Sequence, residues 1–92
     1  MIKSFQHKGL KEFWETGSTK GIPVAMASRI DARLKVINNA TIIDDIDLPG
    51  YNLHGLKGNR KGTWSIKVTG NWRITFQFTN GNAFLLDLED YH

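Results

Sequence analysis

The sequence predicts an α+β fold in which two N-terminal helices pack on a twisted, mostly antiparallel β-sheet. The first half of the chain spaces its apolar residues at the period of an amphipathic helix, and the second half alternates apolar with polar residues at the period of a strand. A chain of 92 residues, 40% of them hydrophobic, can bury one modest core but not two. We therefore expect a single domain over residues 1–92.

The predicted order begins with a short strand over residues 2–5, which two helices follow. Leu10, Phe13 and Trp14 fall on one helical stripe within residues 7–16, and Gly17 suits the position just after a helix end. Pro23 suits the first turn of a second helix over residues 23–38. The apolar face of that helix consists of Ala27, Ile30, Leu34 and Ile37. An acidic segment over residues 41–50 then leads into the second half.

The second half predicts extended segments that tight turns connect. Residues 51–56 can extend, and a turn with a basic tip follows over residues 58–62. Apolar and polar residues alternate over residues 64–69 and 72–78, and a last strand is expected over residues 83–88. Asn80-Gly81 favours a two-residue hairpin because both positions tolerate positive φ. These connections predict an antiparallel meander with the helices collected on one of its faces.

The composition limits the compartment and the kinds of site. The chain has no cysteine, which excludes disulfides, thiolate metal sites and a cysteine nucleophile. It has neither the apolar core of a signal peptide nor the roughly 18 consecutive apolar residues of a membrane span, so we expect a cytoplasmic protein with no membrane partner. The spacing of the three histidines fits no metal motif, and we expect no cofactor. The net charge of +3 favours polyanionic partners.

Basic and histidine side chains are predicted to gather on the polar face of the sheet. Because Trp72 points into the core, Arg73 must point to the other side. The neighbouring segments and the end of the last strand add further candidates, which gives the set His54, Lys57, Arg60, Lys61, Arg73, Asp90, Tyr91 and His92. Each residue alone would also fit an ordinary solvated or packing role. Together they suggest one site.

Such a set suits the cleavage of RNA without a metal ion. Attack by a ribose 2′-hydroxyl needs a base, an acid for the departing oxygen, and cations for the charge on the transition state. Histidine can act as acid or base near neutral pH. Lys57 and Arg73 can hold the phosphate, with Arg60 and Lys61 as further basic contacts to RNA, and Tyr91 can stack on a base or donate a hydrogen bond.

At these positions the sequence resembles the HigB-type toxins of the RelE/ParE superfamily. The resemblance runs from Met1-Ile2-Lys3-Ser4-Phe5 through almost the whole chain. It is carried by the segment over residues 53–60, by Trp64-Ser65-Ile66 and by Asn71-Trp72-Arg73, which lacks one residue of the usual Asn-x-Trp-Arg block. The closing Asp90-Tyr91-His92 is specific in combination with that block.

The resemblance implies a compact RelE-like fold and a ribosome-dependent endonuclease that cuts translated messenger RNA in the ribosomal A site. By the same resemblance, His54 and His92 are the acid and base candidates, in no assigned order, and Asp90 assists or orients them. Lys57 and Arg73 would stabilise the phosphate, and Tyr91 would position the nucleotide. The expected partner is a HigA-like antitoxin with a helix-turn-helix domain, in an assembly that allows a toxin–antitoxin heterotetramer.

Two other functions remain open at the level of sequence. The ParE-type branch of the superfamily keeps the fold but acts on DNA gyrase, so fold alone does not decide the target. The retained His54 and His92 favour RNA cleavage over gyrase inhibition. In the other alternative, the basic face binds RNA without cleaving it, which predicts a salt-sensitive affinity and no cuts.

Overall fold

The computed structural model describes residues 1–91, and its two helices and the strands of its second half follow the predicted order. The helices are α1 (Lys8–Thr16) and α2 (Ala27–Asn39), and the strands are β1 (His54–Gly55), β2 (Thr63–Thr69), β3 (Trp72–Thr79) and β4 (Asn82–Asp90). Short 3₁₀ turns cover Val24–Met26, Ile43–Ile46 and Gly58–Arg60. The α+β class with two helices and an antiparallel sheet is thereby confirmed.

Local side-chain chemistry sets the ends of α1. The Nδ1 atom of His7 accepts a hydrogen bond of 3.0 Å from the backbone N–H of Leu10, which satisfies one of the donors left open in the first turn. Gly17 ends the helix in the left-handed conformation, with φ of 81°, and its N–H donates to the Phe13 carbonyl. The predicted stop at Gly17 is therefore confirmed.

The second helix starts later than the sequence suggested. Pro23 has an extended ψ of 118° and precedes a 3₁₀ turn, so the α-helical pattern begins only at Ala27. Pro23 still initiates helical backbone, but of the tighter kind. The C-terminal end, at Asn39, lies one residue beyond the predicted end.

The four strands form one sheet in the order β1-β2-β3-β4, and each neighbouring pair is antiparallel. The strand predicted over residues 2–5 is reduced to two isolated parallel bridges beside β4, Ile2 with Ala83 and Phe5 with Leu86. A bulge in β4 explains the interruption. Phe76 of β3 faces two residues, Leu85 and Leu86, because Thr75 pairs with Asp87 and Gln77 pairs with Phe84.

One cluster of buried side chains joins the helices to one face of the sheet. Its members from α1 and α2 are Leu10, Ile30, Leu34 and Ile37, and its members from the strands are Ile66, Val68, Ile74, Phe76, Ala83, Leu86 and Leu88. Ile66, Ile74 and Phe76 are 0% exposed. Since alternate strand residues supply this cluster, the residues between them lie on the other face of the sheet.

Candidate functional site

The face of the sheet that points away from the core cluster is called the polar face here. On β2 and β3 it carries Ser65, Lys67, Arg73 and Thr75, the residues that alternate with the apolar residues of the core cluster. The register pairs Ser65 with Thr75 and Lys67 with Arg73. Directly opposite residues of an antiparallel pair lie on the same side with close Cβ atoms, so each pair forms a row across the sheet.

His54 extends the first row, because it pairs with Ser65 from the edge strand β1. Its Nδ1 atom lies 2.9 Å from the carbonyl oxygen of Asn52. A carbonyl can only accept, so Nδ1 carries the hydrogen and a neutral ring keeps its lone pair on Nε2. Asn52 has a φ of 50°, a left-handed backbone conformation that asparagine tolerates better than most residues. The exposed imidazole is thus oriented by a local turn.

Arg73 and Tyr91 meet at the hairpin end of the polar face. The Arg73 guanidinium lies 5.8 Å from the centre of the Tyr91 ring, and its Nη1 donates to the carbonyls of Gly70 and Trp72. The Tyr91 N–H donates to the Asn71 carbonyl over 2.9 Å, which fixes the backbone of Tyr91 beside the β2–β3 turn. The buried Tyr91 hydroxyl lies beside the Arg60 guanidinium, but no group within residues 1–91 meets it in good hydrogen-bond geometry.

A network of hydrogen bonds ties the turn after β1 to strand β4. Arg60 donates from Nη1 and Nη2 to the two carboxylate oxygens of Glu89, at 2.9 and 2.5 Å, and the Thr75 hydroxyl donates to the same carboxylate at 2.6 Å. The hydrogen bond from Arg60 is the main cause that lowers the pKa of Glu89, and the one from Thr75 adds to it, against an opposing effect of burial. Glu89 therefore stays ionised and its charge is neutralised within the protein.

A cleft of about 320 Å³ opens beside this network. The cleft is lined by polar side chains of the 3₁₀ turn and strands, among them Asn59, Gln77 and Asp87, and by the exposed Leu85. The Arg60–Glu89 pair also lines it. The cleft contains carboxylates, whereas Lys67 and Arg73 lie outside its lining, so the polar face has an acidic and a basic part.

The structure places the remaining predicted residues in different surroundings. Lys57 and Lys61 flank the 3₁₀ turn Gly58–Arg60 and are exposed. Asp90 was expected on the face of Arg73, but the register pairs it with Trp72 and pairs Arg73 with Glu89. The two residues therefore belong to different rows of the sheet, and the role of Asp90 in the site stays a prediction. His92 lies outside the described residues.

Sequence reasoning missed Ser65, Lys67 and Glu89, which all lie on the polar face. The Ser65 hydroxyl is fully buried next to His54 and has no hydrogen-bond partner in the described part of the chain. The alternation that placed Arg73 on the polar face applies equally to Lys67, so that residue was within reach of the same argument. The ion pair of Glu89 with Arg60 joins residues 29 positions apart and leaves no local signal.

Residues 1–91 contain no group of three or more His, Asp or Glu side chains placed to hold a metal ion. None of the helices in the same range is long and apolar enough to cross a membrane.

Comparisons with known proteins converge on one family. Residues 3–92 match the model of the HigB-like toxins, described as the RelE-like toxin of the type II toxin–antitoxin system HigB. The chain is 55% identical to the Endoribonuclease HigB of Proteus vulgaris over 92 residues, all of both chains, and 31% identical to Toxin HigB-1 of Vibrio cholerae serotype O1 over 90% of each. Its fold is similar to a chain of the YoeB-YefM complex from Staphylococcus aureus, with a TM-score of 0.65 at 17% identity, over 100% of this chain and 95% of that one.

Proposed function

Because this chain belongs to the HigB-like family of RelE-like toxins of type II toxin–antitoxin systems, we propose that it is a ribosome-dependent endoribonuclease that cleaves translated messenger RNA. The relative that is identical at 55% of positions carries the name endoribonuclease, and the whole of both chains is matched. In this proposal the cut falls in the ribosomal A site and translation stops. The protein is one RelE-like domain whose two helices cover one face of the sheet and leave the polar face to RNA.

The observation that carries this proposal is an oriented imidazole on the same face as two strand-borne cations. His54 lies one row from the Lys67–Arg73 pair. With strands about 4.8 Å apart and about 3.4 Å per residue, the Cα atoms of His54 and Arg73 are separated by roughly 12 Å. A nucleotide with its phosphate fits between side chains that far apart. The contact of Arg73 with the Tyr91 ring places an aromatic face at the far side.

The proposed reaction is an internal transfer at phosphorus. A base removes the proton of the ribose 2′-hydroxyl, O2′ forms a bond to phosphorus, and the bond from phosphorus to the 5′-oxygen breaks. An acid protonates that leaving oxygen, so the products are a 2′,3′-cyclic phosphate and a free 5′-hydroxyl. His54 and His92 are the acid and base, with Asp90 assisting. For His54 the reacting atom is Nε2, since Nδ1 faces Asn52.

The cations and the aromatic ring of the site have separate tasks in this proposal. Arg73 stabilises the negative charge that develops on the phosphate oxygens, and the exposed Lys57 and Lys61 contact the phosphates of the flanking RNA. Tyr91 stacks on a base or donates from its hydroxyl to the nucleotide.

The partner of a type II toxin is an antitoxin, and we propose a HigA-like protein with a helix-turn-helix domain for this chain, in a toxin–antitoxin heterotetramer. The structural neighbour is itself one chain of a two-protein complex, YoeB-YefM. The ribosome and messenger RNA are the other partners. The proposed place of action is the cytoplasm, where translated messages are found.

Mapping of RNA 5′ ends after brief induction tests this function. We expect new 5′-hydroxyl ends inside translated reading frames in cells that express the chain. Arg73→Gln should lower kcat/KM for cleavage on programmed ribosomes by about 100-fold or more, as the loss of one charged group at a transition state does. Lys35→Gln, on the exposed side of α2, is the control that should keep full activity. Supercoiling defects with intact messages would instead establish the gyrase alternative.

A further inference from the structure

We propose that Lys67 is a second phosphate-binding residue of this site, which acts together with Arg73, and that Arg60 is a positioning residue without a direct contact to RNA. The inference rests on the proposed function and assigns the cations within it. It changes the role that the sequence suggested for Arg60, and it adds a residue that the sequence analysis did not select.

Lys67 and Arg73 form a cross-strand pair of like charges. They are directly opposite each other on the polar face, and both are half-buried. Like charges directly opposite in a sheet destabilise it, so such a pair needs a reason. Among residues 1–91 Lys67 forms no ion pair or side-chain hydrogen bond, and Arg73 donates only to neutral carbonyl groups. The charge of this row is thus available to an anion from outside.

The carboxylate nearest to this pair in the sheet does not neutralise it. Glu89 pairs with Arg73 in the register of β3 and β4, yet both of its oxygens accept hydrogen bonds from Arg60 and one of them also accepts from Thr75. Asp90 belongs to the row of Trp72 on the other side of the strand. Glu89 is thus committed to Arg60, and the Lys67–Arg73 row keeps its two positive charges.

The backbone of Lys67 forms hydrogen bonds to groups outside the sheet, in addition to its place in β2. Its N–H donates to the Tyr51 carbonyl over 2.7 Å, and its carbonyl accepts from Nε of Arg33 over 2.7 Å. The Arg33 guanidinium also lies 4.4 Å from the centre of the Tyr51 ring. A site on a rigid strand holds a ligand with less loss of conformational entropy than one on a loop. Lys67 therefore has the placement of a binding residue.

Arg60 has the opposite character. Its two terminal nitrogens bind one carboxylate in a bidentate pair, a geometry that satisfies the guanidinium and neutralises its charge. The pair fixes the 3₁₀ turn, with Lys57 at its start, against β4 and next to Tyr91. Replacement of Arg60 should therefore remove no phosphate contact of its own, and it should lower kcat/KM for cleavage through the position of the turn.

The salt dependence of RNA binding separates the two roles. The probe is a short single-stranded RNA with 2′-O-methyl groups, which cannot be cleaved by the proposed reaction. Each phosphate contact contributes about 0.7 to the slope of log affinity against log salt for a single strand, equivalent to about fivefold in affinity at 0.1 M salt. We expect Lys67→Gln to reduce the slope by about 0.7 and the affinity at 0.1 M salt by about fivefold. Lys67→Arg should keep the slope and the affinity of the wild type.

The matched control is the double variant Arg60→Gln/Glu89→Gln, which removes the ion pair without a change of net charge. The slope of this double variant should equal that of the wild type, whereas its kcat/KM for cleavage should be lower because the turn is no longer fixed. The Arg60→Glu/Glu89→Arg exchange restores the ion pair and should raise kcat/KM again toward the wild-type value. The inference is overturned if Lys67→Gln keeps the wild-type slope, if the double variant loses as much slope as Lys67→Gln, or if the wild type shows no salt-dependent affinity for the probe. Absence of cleavage by a wild type that still binds through Lys67 would overturn the proposed endoribonuclease activity instead.

Discussion

The two faces of the sheet draw on alternate positions of the same strands but use them in opposite ways. On the core side, Ile66, Ile74 and Phe76 are fully buried and contribute to one cluster with the helices. On the polar face, two fully or nearly fully buried hydroxyl residues, Ser65 and Thr75, lie among charged neighbours. The comparison teaches that burial alone does not distinguish residues that stabilise the fold from residues that belong to a functional site. What distinguishes them is whether the buried polar groups form hydrogen bonds and ion pairs with each other.

The core side is self-sufficient, because apolar contacts need no particular partner atoms. The polar face is not. It leaves a buried Ser65 hydroxyl and a buried Tyr91 hydroxyl without partners in the described chain, beside a row of two like charges. Buried polar groups that lack partners are costly, and in native proteins they need an explanation. A polyanion bound on this face would supply negative charge beside the two cations.

The sharpest test of the difference replaces two neighbours on β3. Phe76 is 0% exposed within the core, and Gln77 is exposed on the polar face. Phe76→Ala should lower the free energy of unfolding by about 3–5 kcal/mol, because it removes buried apolar area and leaves a cavity. Gln77→Ala, the matched control, should change it by less than about 0.5 kcal/mol. Urea unfolding followed by tryptophan fluorescence measures both, and equal effects would contradict the division into two faces.

A smaller effect is expected from the charge of Glu89. Folding lowers the pKa of this carboxyl, chiefly through the hydrogen bond from Arg60, so its ionised form stabilises the fold above its unfolded pKa of about 4.3. That stabilisation is lost as the pH falls through the folded-state pKa. Glu89→Gln should therefore cost about 1 kcal/mol at neutral pH, since Arg60 is partly exposed and solvent screens the pair. The difference from wild type should shrink below about pH 4.

Asp45→Asn is the control for that pH dependence. The pKa of Asp45 is also lowered, by hydrogen bonds from the backbone of Thr41 first and of Ile42 second, but it lies in the 3₁₀ turn after α2 and not on the polar face. The stability of both variants should depend on pH in the same direction, and only Glu89→Gln should lower the rate of RNA cleavage. A difference between wild type and Glu89→Gln that grows on acidification would show that the carboxylate does not stabilise the fold.

The smallest expected effect concerns the bulge in β4. Leu85 is 45% exposed beside the cleft and has a φ of 55°, which a leucine adopts only with strain. Asparagine tolerates this conformation better, so Leu85→Asn should leave the free energy of unfolding unchanged or raise it by up to about 1 kcal/mol. The melting temperature measures the change. Leu86→Asn, one residue further and 0% exposed, should be strongly destabilising. Similar losses for both variants would contradict the assigned bulge.

Several features of the fold were predictable because their causes are local. Gly17 ends α1 in the left-handed conformation, and Asn80-Gly81 turns with positive φ at both residues, as their residue types suggest. The period of the apolar residues placed β2, β3 and β4 within about two residues of their observed limits. The strand at residues 2–5 was overestimated, because its pairing depends on a bulge in β4 that no local pattern announces.

In the candidate site, too, some features were predictable from the sequence and others were not. The sequence by itself determined the period-2 pattern that sets Arg73 on the polar face, and it contains the motifs that resemble those of a toxin family. Only the tertiary structure decided that Lys67 is opposite Arg73, that Glu89 is committed to Arg60 and that Asp90 lies in a different row from Arg73. The physical reason is that alternation specifies a face, whereas register specifies a neighbour. Register follows from turns and bulges summed over the sheet, and it decides which charges are neutralised and which remain for a ligand.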